Sequence, residues 1–218
     1  MTDFHHYARL HEALIEEKGK KSSYKKGQLL MHRDEESPWV FFVHSGYVKL
    51  AFTNDGADER VLGFAVPGMP LAQGGSFHSL PHLNLEYEAH TDCVVSRMAM
   101  RDFMQELSSN TDLFMEWHNR ILQNHTMFIE RILYSGERDP RVRVMGWLLG
   151  MDRYYSNTRS DGKRAVEIPM TQDIIAGFTH LSRESVNKIL QELKQQGLIE
   201  INNKIIIMPD PNKIRSFL

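Results

Sequence analysis

The sequence has a single cysteine and no long apolar stretch. Cys93 alone cannot form a disulfide within the chain, and it excludes any cluster that needs four cysteine ligands from one chain. No apolar run approaches the roughly 20 residues that span a bilayer, and the polar start MTDFHHYARLHE lacks the apolar core of a signal peptide. We therefore expect a soluble, cytoplasmic protein with no membrane partner.

The charge is unevenly distributed along the chain. The 218 residues, 41% hydrophobic and 25% charged, can bury the core of one large domain or of two smaller ones, and we expect two. Residues 138–218 hold 13 Lys and Arg against 9 Asp and Glu, whereas residues 1–137 hold 13 against 19. A part with net charge +4 beside one of −6 favours a nucleic-acid module joined to an acidic partner domain.

Short apolar runs separated by turn residues occupy the chain from about residue 20 to residue 100. The runs include VFFVHSGYVKLAF, RVLGFAV and CVVSRM, and the turn signals include Asn54-Asp55-Gly56 and Pro67-Gly68. This pattern predicts an antiparallel β-roll of jelly-roll type. With the helices that follow, the predicted fold class is α+β.

A helical period begins near residue 111 and continues to about residue 135. It produces two apolar stripes, the first made of Phe114, Trp117, Ile121 and Phe128 and the second of Leu122, Ile129 and Ile132. We expect the first stripe to cover the β-roll and the second to pair with its copy in a homodimer, with Asn124 or His125 setting the register. The alternative is one broad stripe facing the core of a monomer. The residues assigned to this dimerisation helix are Trp117, Ile121, Leu122, His125 and Ile132.

A domain boundary is predicted after residue 137. Gly136 can end the long helix, and Asp139-Pro140 disfavours its continuation. The first domain, 1–137, would hold the β-roll and the long helix, and the second would span 138–218. Within the second domain, residues 141–155 have the pattern of another amphipathic helix, and residues 156–162 that of a polar loop.

Two capped helices and a hairpin are predicted near the C-terminus. Thr171 can cap a helix that runs through Gly177, and Ser182 can cap a second that runs to about Gln196. Asn202-Asn203 tolerates positive φ, so residues 198–201 and 204–208 are expected to form a hairpin around it. The combination is typical of a winged helix-turn-helix, whose second helix enters the major groove of DNA.

The second of these helices has a buried and an exposed face. Its buried face is made of Val186, Ile189, Leu190 and Leu193. Among the exposed residues we expect Arg183, Glu184 and Lys188 to read base edges. The residues expected to hold the DNA backbone are Thr171, Gln172, Ser182, Ser185, Asn187 and Lys204. A plain helical hairpin with a charged face is the alternative for this segment.

The runs Met170-Thr171-Gln172-Asp173-Ile174 and Leu181-Ser182-Arg183-Glu184-Ser185-Val186 resemble the helix-turn-helix of the Crp/Fnr family. The order of zones is also similar, and the resemblance covers nearly the whole chain. It implies a homodimeric transcription regulator that binds palindromic double-stranded DNA and responds to a small effector sensed by the first domain. It also implies RNA polymerase as a partner, contacted through residues 157–164. Arg183 and Glu184 match the base-reading positions of the family, whereas Lys188 stands where Arg is commoner.

The sensor half departs from the family's cyclic-nucleotide members. Gln73 stands where those members have the Glu that takes the ribose hydroxyl, and Leu83-Asn84 stands where they have the Arg and small hydroxyl residue that take the phosphate. A buried phosphate without a cation is costly, so we expect an effector other than cyclic AMP. By the same resemblance, the residues assigned to the effector pocket are Gln73, Leu83, Asn84, Leu85, Asn124, Phe128 and Ile129. Phe128 and Ile129 favour an apolar or aromatic ligand.

The 11 histidines leave other ligand chemistries to consider. Haem stays open as a ligand, because His78, His82 and His90 lie near the predicted pocket, although a packed or surface histidine is the ordinary interpretation of each. The alternative from another class is a cupin-like metal-binding β-roll enzyme built on these histidines and Glu86. Cupins place two His on one strand face with a single residue between them. Here His78 and His82 flank Pro81 in a predicted loop. We therefore expect no catalytic residue, no metal and no resident cofactor in a protein that is not an enzyme, and we leave the effector unidentified.

Overall fold

The computed structural model describes residues 9–31, 39–53, 59–72 and 84–218. The chain divides into two compact units, Met1–Leu122 and Gln123–Leu218. The elements of the first unit are α1 (Arg9–Lys18), β1 (Lys20–Tyr24), β2 (Leu29–Met31), β3 (Trp39–Ser45), β4 (Val48–Thr53), β5 (Glu59–Ala65), β6 (Pro70–Ala72), β7 (Asn84–Ala89), β8 (Cys93–Ala99) and α2 (Met100–Ser109). A long helix, α3 (Thr111–Ser135), contributes to both units. None of the helices in these ranges is long and apolar enough to cross a membrane.

The first unit contains the predicted antiparallel β-roll. One sheet has the strand order β1-β8-β3-β6 and the other β2-β7-β4-β5, and all the strand pairs are antiparallel. Phe41 and Val43 of β3 share one apolar core with Val48 and Tyr87 of the other sheet. This shared core confirms the β-roll.

Strand β3 is apolar at successive positions because both of its faces are buried. Val40 and Phe42 belong to a second core, on the face of β3 opposite Phe41 and Val43. The other members of this second core are Ile15 of α1, Met98 of β8, Phe103 and Leu107 of α2, and Leu113 of α3. The β-roll therefore carries a helical layer, of which only α3 is predicted from the sequence.

After α3, the second unit contains four helices and four strands. They are α4 (Pro140–Tyr155), β9 (Ser156–Thr158), β10 (Arg164–Val166), α5 (Gln172–Thr179), α6 (Arg183–Gln195), β11 (Glu200–Asn202), β12 (Ile205–Met208) and α7 (Pro211–Arg215). Asp139 caps α4 by accepting a hydrogen bond from the Arg141 amide at 2.8 Å, and Pro140 occupies the first turn, as the sequence indicates.

The segment predicted as a polar loop after α4 is a hairpin. Strands β9 and β10 pair with each other and extend a four-stranded sheet of order β11-β12-β10-β9. Arg164 of β10 fixes this hairpin to α4, because its Nε lies 2.8 Å from Asp152 Oδ1. The Ser156 hydroxyl donates to the same carboxylate oxygen at 2.7 Å. The pairing depends on these contacts and not on local apolar alternation, so the expectation of a loop is wrong here.

The division between the two units falls inside α3, whereas the sequence predicts the domain boundary after residue 137. The second half of α3 packs on α4. The Tyr154 hydroxyl donates to Glu130 Oε2 at 3.1 Å, and Arg153 pairs with the same carboxylate. Tyr134 lies so close to Gly146 that a Cβ there would be 2.2 Å from its Cδ1. The boundary of the DNA-binding domain itself stays a prediction.

Candidate nucleic-acid interface

Helices α5 and α6 are each capped at the N-terminus, and a tight turn joins them. Thr171 Oγ1 accepts from the Ile174 amide at 3.3 Å, and Ser182 Oγ accepts from the Ser185 amide at 3.2 Å. Between the helices His180 adopts a left-handed conformation (φ 53°), and the Leu181 amide donates back to the Ala176 carbonyl at 3.2 Å. The two predicted caps are confirmed, and the pair is a helix-turn-helix.

Arg143 of α4 holds this turn from the other side, and it is not among the residues predicted from the sequence. Its Nη1 donates to the carbonyls of Thr179 and His180, at 3.3 and 3.5 Å, where α5 ends. Carbonyls at the end of a helix have no partner within the helix, and a cation there also opposes the helix dipole. No local signal identifies Arg143, since its partner Thr179 lies 36 residues further along the chain.

The buried face of α6 is made of the predicted residues, which leaves the predicted DNA-contact residues on its other faces. Val186, Ile189, Leu190 and Leu193 are buried. The remaining side chains of the first two turns are exposed or half-buried: Arg183, Glu184, Ser185, Asn187 and Lys188. The start of α6 therefore presents a cationic, an anionic and an amide side chain on one surface.

Gln172 connects α5 to this surface. Its Nε2 donates to Asn187 Oδ1 at 2.8 Å, and its Oε1 accepts from Arg183 Nε at 3.4 Å. Arg183 Nε also lies 3.8 Å from Asp173 Oδ1, with both side chains largely exposed. The structure thus brings together Gln172, Arg183 and Asn187, three residues that the sequence assigns to DNA contact.

Glu184 is an exposed residue whose charge is influenced by groups at the start of its own helix. Hydrogen bonds from its own backbone N–H and from the Ser182 hydroxyl lower its carboxyl pKa. The side chain is therefore an ionised hydrogen-bond acceptor at neutral pH. Ser182 and Ser185 also share a hydrogen bond between their hydroxyls, 3.0 Å apart.

Strands β11 and β12 form the hairpin, and its turn lies one residue later than expected. Asn203 (φ 50°) and Lys204 (φ 67°) are the central residues, and Asn202 pairs with Ile205. The predicted turn at Asn202-Asn203 is wrong because Asn202 belongs to β11. The Lys204 carbonyl accepts from the Met170 amide at 2.8 Å, which holds the turn against the segment that enters α5.

A cleft of about 430 Å³ opens between α5, α6 and this hairpin. Its polar walls include Thr171, Gln172, Arg183 and Lys204, over a floor of Ile175, Leu190, Ile201 and Ile206. Asp173 also lines the cleft, 3.8 Å from Arg183 Nε. Lys204 and the amides at the N-terminus of α5 suit an anion such as a DNA phosphate, since the helix dipole favours negative charge there.

The residues assigned to the effector pocket are only partly described. Gln73 and Leu83 lie outside the described residues, and Asn84 begins β7. Leu85 is buried in the core between the two sheets. On the second-unit part of α3, Asn124 is half-buried, and Phe128 and Ile129 are exposed. The pocket stays a prediction.

The residues assigned to the dimerisation helix differ in exposure. Trp117 packs inside the first unit, with its ring centroid 5.0 Å from that of Phe103. Ile121, Leu122, His125 and Ile132 are exposed. Of the five assigned residues, the four after Trp117 are therefore the exposed ones.

The residues of the cupin alternative are also partly described. His78 and His82 lie outside the described residues. His90 lies beside Phe64, with their ring centroids 5.1 Å apart, and Glu86 lies in β7. Cys93 is buried, and burial raises the pKa of its thiol to about 11, which suits a core residue.

Comparison with known proteins identifies both parts of the chain. Residues 142–217 match the Crp-like helix-turn-helix domain, and residues 21–110 match the cyclic nucleotide-binding domain. The cAMP-activated global transcriptional regulator CRP of Salmonella typhimurium is 23% identical over 85% of this chain and 87% of its own length. These proteins are transcription regulators, and they give no support to the cupin alternative.

Solved structures show the same fold. FixK2 from Bradyrhizobium japonicum has a TM-score of 0.75 at 20% identity and covers 91% of this chain and 96% of its own. A CooA mutant from Carboxydothermus hydrogenoformans also has a TM-score of 0.75, at 18% identity, over 94% of this chain and 89% of its own. The fold and the helix-turn-helix define a DNA-binding transcription regulator. The chain belongs to the Crp/Fnr family.

Proposed function

We propose that the chain acts in the cytoplasm as a homodimer on palindromic DNA, and that Arg183, Glu184 and Lys188 of α6 read the bases. The observation that carries this proposal is the exposed start of α6, where Gln172 bonds to both Arg183 and Asn187. A recognition helix contacts base edges with its N-terminal residues, and these are the residues that α6 leaves free of the core.

The three residues proposed to read bases differ in the hydrogen bonds that they can make. Arg183 can donate a pair of hydrogen bonds to guanine O6 and N7, and the ionised Glu184 can accept one from cytosine N4. Lys188, one turn further on, can reach another guanine or a phosphate, without the paired geometry of an Arg. Thr171, Gln172 and Lys204 line the cleft beside α5 and would hold a backbone phosphate there.

The dimer is supported by the apolar side chains that α3 leaves exposed. Leu122, Ile129 and Ile132 follow the spacing of a coiled-coil seam, with His125 on the same side. A two-fold axis would place two copies of α6 in successive major grooves, about 34 Å apart. The DNA site would accordingly be a palindrome.

The effector is proposed to be a small molecule other than cyclic AMP. The support is chemical: Gln73 and Leu83 supply no charge for a phosphate, and Phe128 and Ile129 are apolar. Calorimetry with cyclic AMP should accordingly show no binding at micromolar concentration. Saturable micromolar binding, or a gain in DNA affinity on adding cyclic AMP, would contradict this part of the proposal.

RNA polymerase is proposed as a further partner, contacted through residues 157–164. This segment includes the exposed turn of the β9–β10 hairpin, where the Gly162 amide donates to the Arg159 carbonyl at 3.0 Å. The turn is held near its ends by Asp152 and Arg164. A turn anchored at its base can present side chains to a protein partner at a fixed position.

Selection of bound duplexes from a random pool tests the DNA-reading proposal. The wild-type chain should enrich a palindrome whose half-sites are centred about 10 base pairs apart. Arg183→Ala should lose its preference for one guanine in each half-site, whereas Lys213→Ala on α7 should select the wild-type sequence. Enrichment of no palindrome, or an unchanged sequence with Arg183→Ala, would refute the assignment of α6.

A further inference from the structure

A cluster of possible metal-binding side chains lies in the first unit, on α1 and β3. Glu12 and Glu16 are one helical turn apart on α1, so they occupy the same helix face. His44 of β3 lies against that face, and one ligand atom from each of the three residues lies within 4.8 Å of the others. Two carboxylates and an imidazole from two elements thus converge on one point.

The imidazole of His44 is held in place independently of the carboxylates. Its side chain is only 10% exposed, and its ring lies 5.2 Å from the ring of Phe42. Its Nε2 lies 2.7 Å from the hydroxyl of Ser96, which is itself buried. With Nε2 committed to Ser96 on β8, the other ring nitrogen, Nδ1, is directed at the carboxylates.

The distance between His44 and Glu16 is too long for a hydrogen bond. Nδ1 of His44 lies 3.9 Å from Glu16 Oε1, and among the described residues it has no hydrogen-bond partner. Two ligands of a tetrahedral metal ion, each about 2.0–2.2 Å from it, stand about 3.3 Å apart, which is more than in most hydrogen bonds. Glu16 is exposed and can make the small movement that brings its oxygen and Nδ1 onto one ion.

We propose that Glu12, Glu16 and His44 form a binding site for a divalent transition-metal ion. One imidazole and two carboxylates suit Zn²⁺, Mn²⁺ or Fe²⁺, whereas Mg²⁺ and Ca²⁺ favour oxygen ligands alone and Cu⁺ favours sulfur. Ser96 orients the imidazole, as groups that bond the far nitrogen of a metal-binding histidine do. The ion would link α1 to the sheet that contains β3 and β8, in the unit that does not carry the helix-turn-helix.

Metal titration of the purified full chain, first freed of metal with a chelator, tests this proposal. Mn²⁺ is followed by the electron paramagnetic resonance of the free ion, and Zn²⁺ by calorimetry. We expect one ion of either metal per chain at the site. Glu16→Gln and His44→Gln should each raise the Kd about tenfold or more, and Ser96→Ala, which leaves all three ligands in place, should raise it by about tenfold.

Two control variants separate this site from adventitious binding. Glu17→Gln removes the same charge from the next residue of α1, which points away from His44, and His118→Gln removes an exposed histidine from α3. Both should keep the Kd within about twofold of the wild-type value. Absence of saturable binding, or equal binding by the wild type and by Glu16→Gln and His44→Gln, would overturn the proposal.

If His44→Gln folds poorly, the change in Tm on adding metal provides a second test with the other variants. Mn²⁺ should raise the Tm of the wild type and of Glu17→Gln in proportion to the logarithm of its concentration. It should not raise the Tm of Glu16→Gln, whose exposed side chain is outside the apolar core. An equal rise in Glu16→Gln would also overturn the proposal. None of these measurements involves DNA, so the result is independent of the proposed function.

Discussion

The start of α6 favours the ionised form of its acidic residue before any DNA is bound. The backbone N–H of Glu184 and the Ser182 hydroxyl stabilise the charged carboxylate and so lower its pKa. An ionised carboxylate in the first turn can only accept hydrogen bonds, so it selects a base that offers a donor. Cytosine N4 is the donor that this acceptor fits in the major groove.

Glu184→Ala should therefore relax specificity at one base pair of each half-site. We expect a loss of about 1–3 kcal/mol on the preferred palindrome and a smaller loss on the duplex altered at that pair. The measurement is a titration of the variant against the palindrome and its single-base variants. Glu192→Ala, the same charge change two turns along α6, serves as the control. An unchanged base preference in Glu184→Ala would mean that α6 is not the reading helix.

His11 is a buried histidine whose charged form is unfavourable. It is 1% exposed, and its Nδ1 lies 2.5 Å from Glu116 Oε1. Burial lowers the His11 pKa and outweighs the attraction of the carboxylate, and Arg120 adds to the lowering. Below the ordinary histidine pKa of about 6.5 the unfolded chain therefore binds a proton that the folded chain does not.

The free energy of unfolding should consequently fall as the pH drops below about 6.5. For one such group the slope is at most about 1.4 kcal/mol per pH unit, and the contribution is fully present above pH 6.5. Urea titrations between pH 5 and 8 measure it. His11→Gln should flatten this dependence, whereas His118→Gln, at an exposed position of α3, should keep the wild-type slope. Identical slopes in all three proteins would refute the assignment to His11.

Single residues could be predicted where their role depends on near neighbours. Thr171 and Ser182 cap amides three residues away, so short stretches of sequence were enough. His44 meets Glu12 and Glu16 only because β3 lies beside α1, and nothing in the pattern around His44 indicates this. The same reason hides Arg143, whose partners lie on another helix.

Elements could be predicted where a period is sustained. The helical period of α3 continues from Thr111 to Ser135, and its predicted bounds agree with the structure. Helix α2 follows β8 without a break, and Ala99 before it has no side chain that could act as a cap. Strand β9 is the polar segment Ser156–Thr158, which becomes a strand only through its pairing with β10.

The hairpin of β11 and β12 should contribute affinity without specificity. Lys204 at its turn is exposed and has positive φ, and it lines the cleft beside the start of α5. Lys204→Asn removes the charge and keeps a residue that tolerates this conformation. We expect weaker binding to all duplexes alike. The slope of log affinity against log salt concentration should be smaller by about one. Titrations at two salt concentrations measure both quantities, with Lys213→Ala as the control, and a sequence-dependent loss would contradict the assignment.

The order of zones along the whole chain was sufficient to predict the fold class, because each zone is continuous in sequence. The β-roll, the long helix and the helix-turn-helix follow one another and form without exchanging strands. The division inside α3 could not be predicted in this way. It depends on Glu130 and Tyr134 packing on α4, and those contacts join residues that are between 12 and 24 positions apart.

Assembly of the whole molecule should depend on the second apolar stripe of α3. Ile132 is 69% exposed, and Leu122 and Ile129 lie at coiled-coil spacing from it. Burying one isoleucine contributes about 1.5 kcal/mol or more, and two-fold symmetry counts it twice, so Ile132→Glu should weaken the dimer about 100-fold or more. Sedimentation at micromolar concentration should show a dimer for the wild type and a 25.3 kDa species for this variant. Met104→Glu, a similar change at an exposed site on α2, should remain dimeric. A wild-type chain that stays monomeric with and without palindromic DNA would refute the dimer.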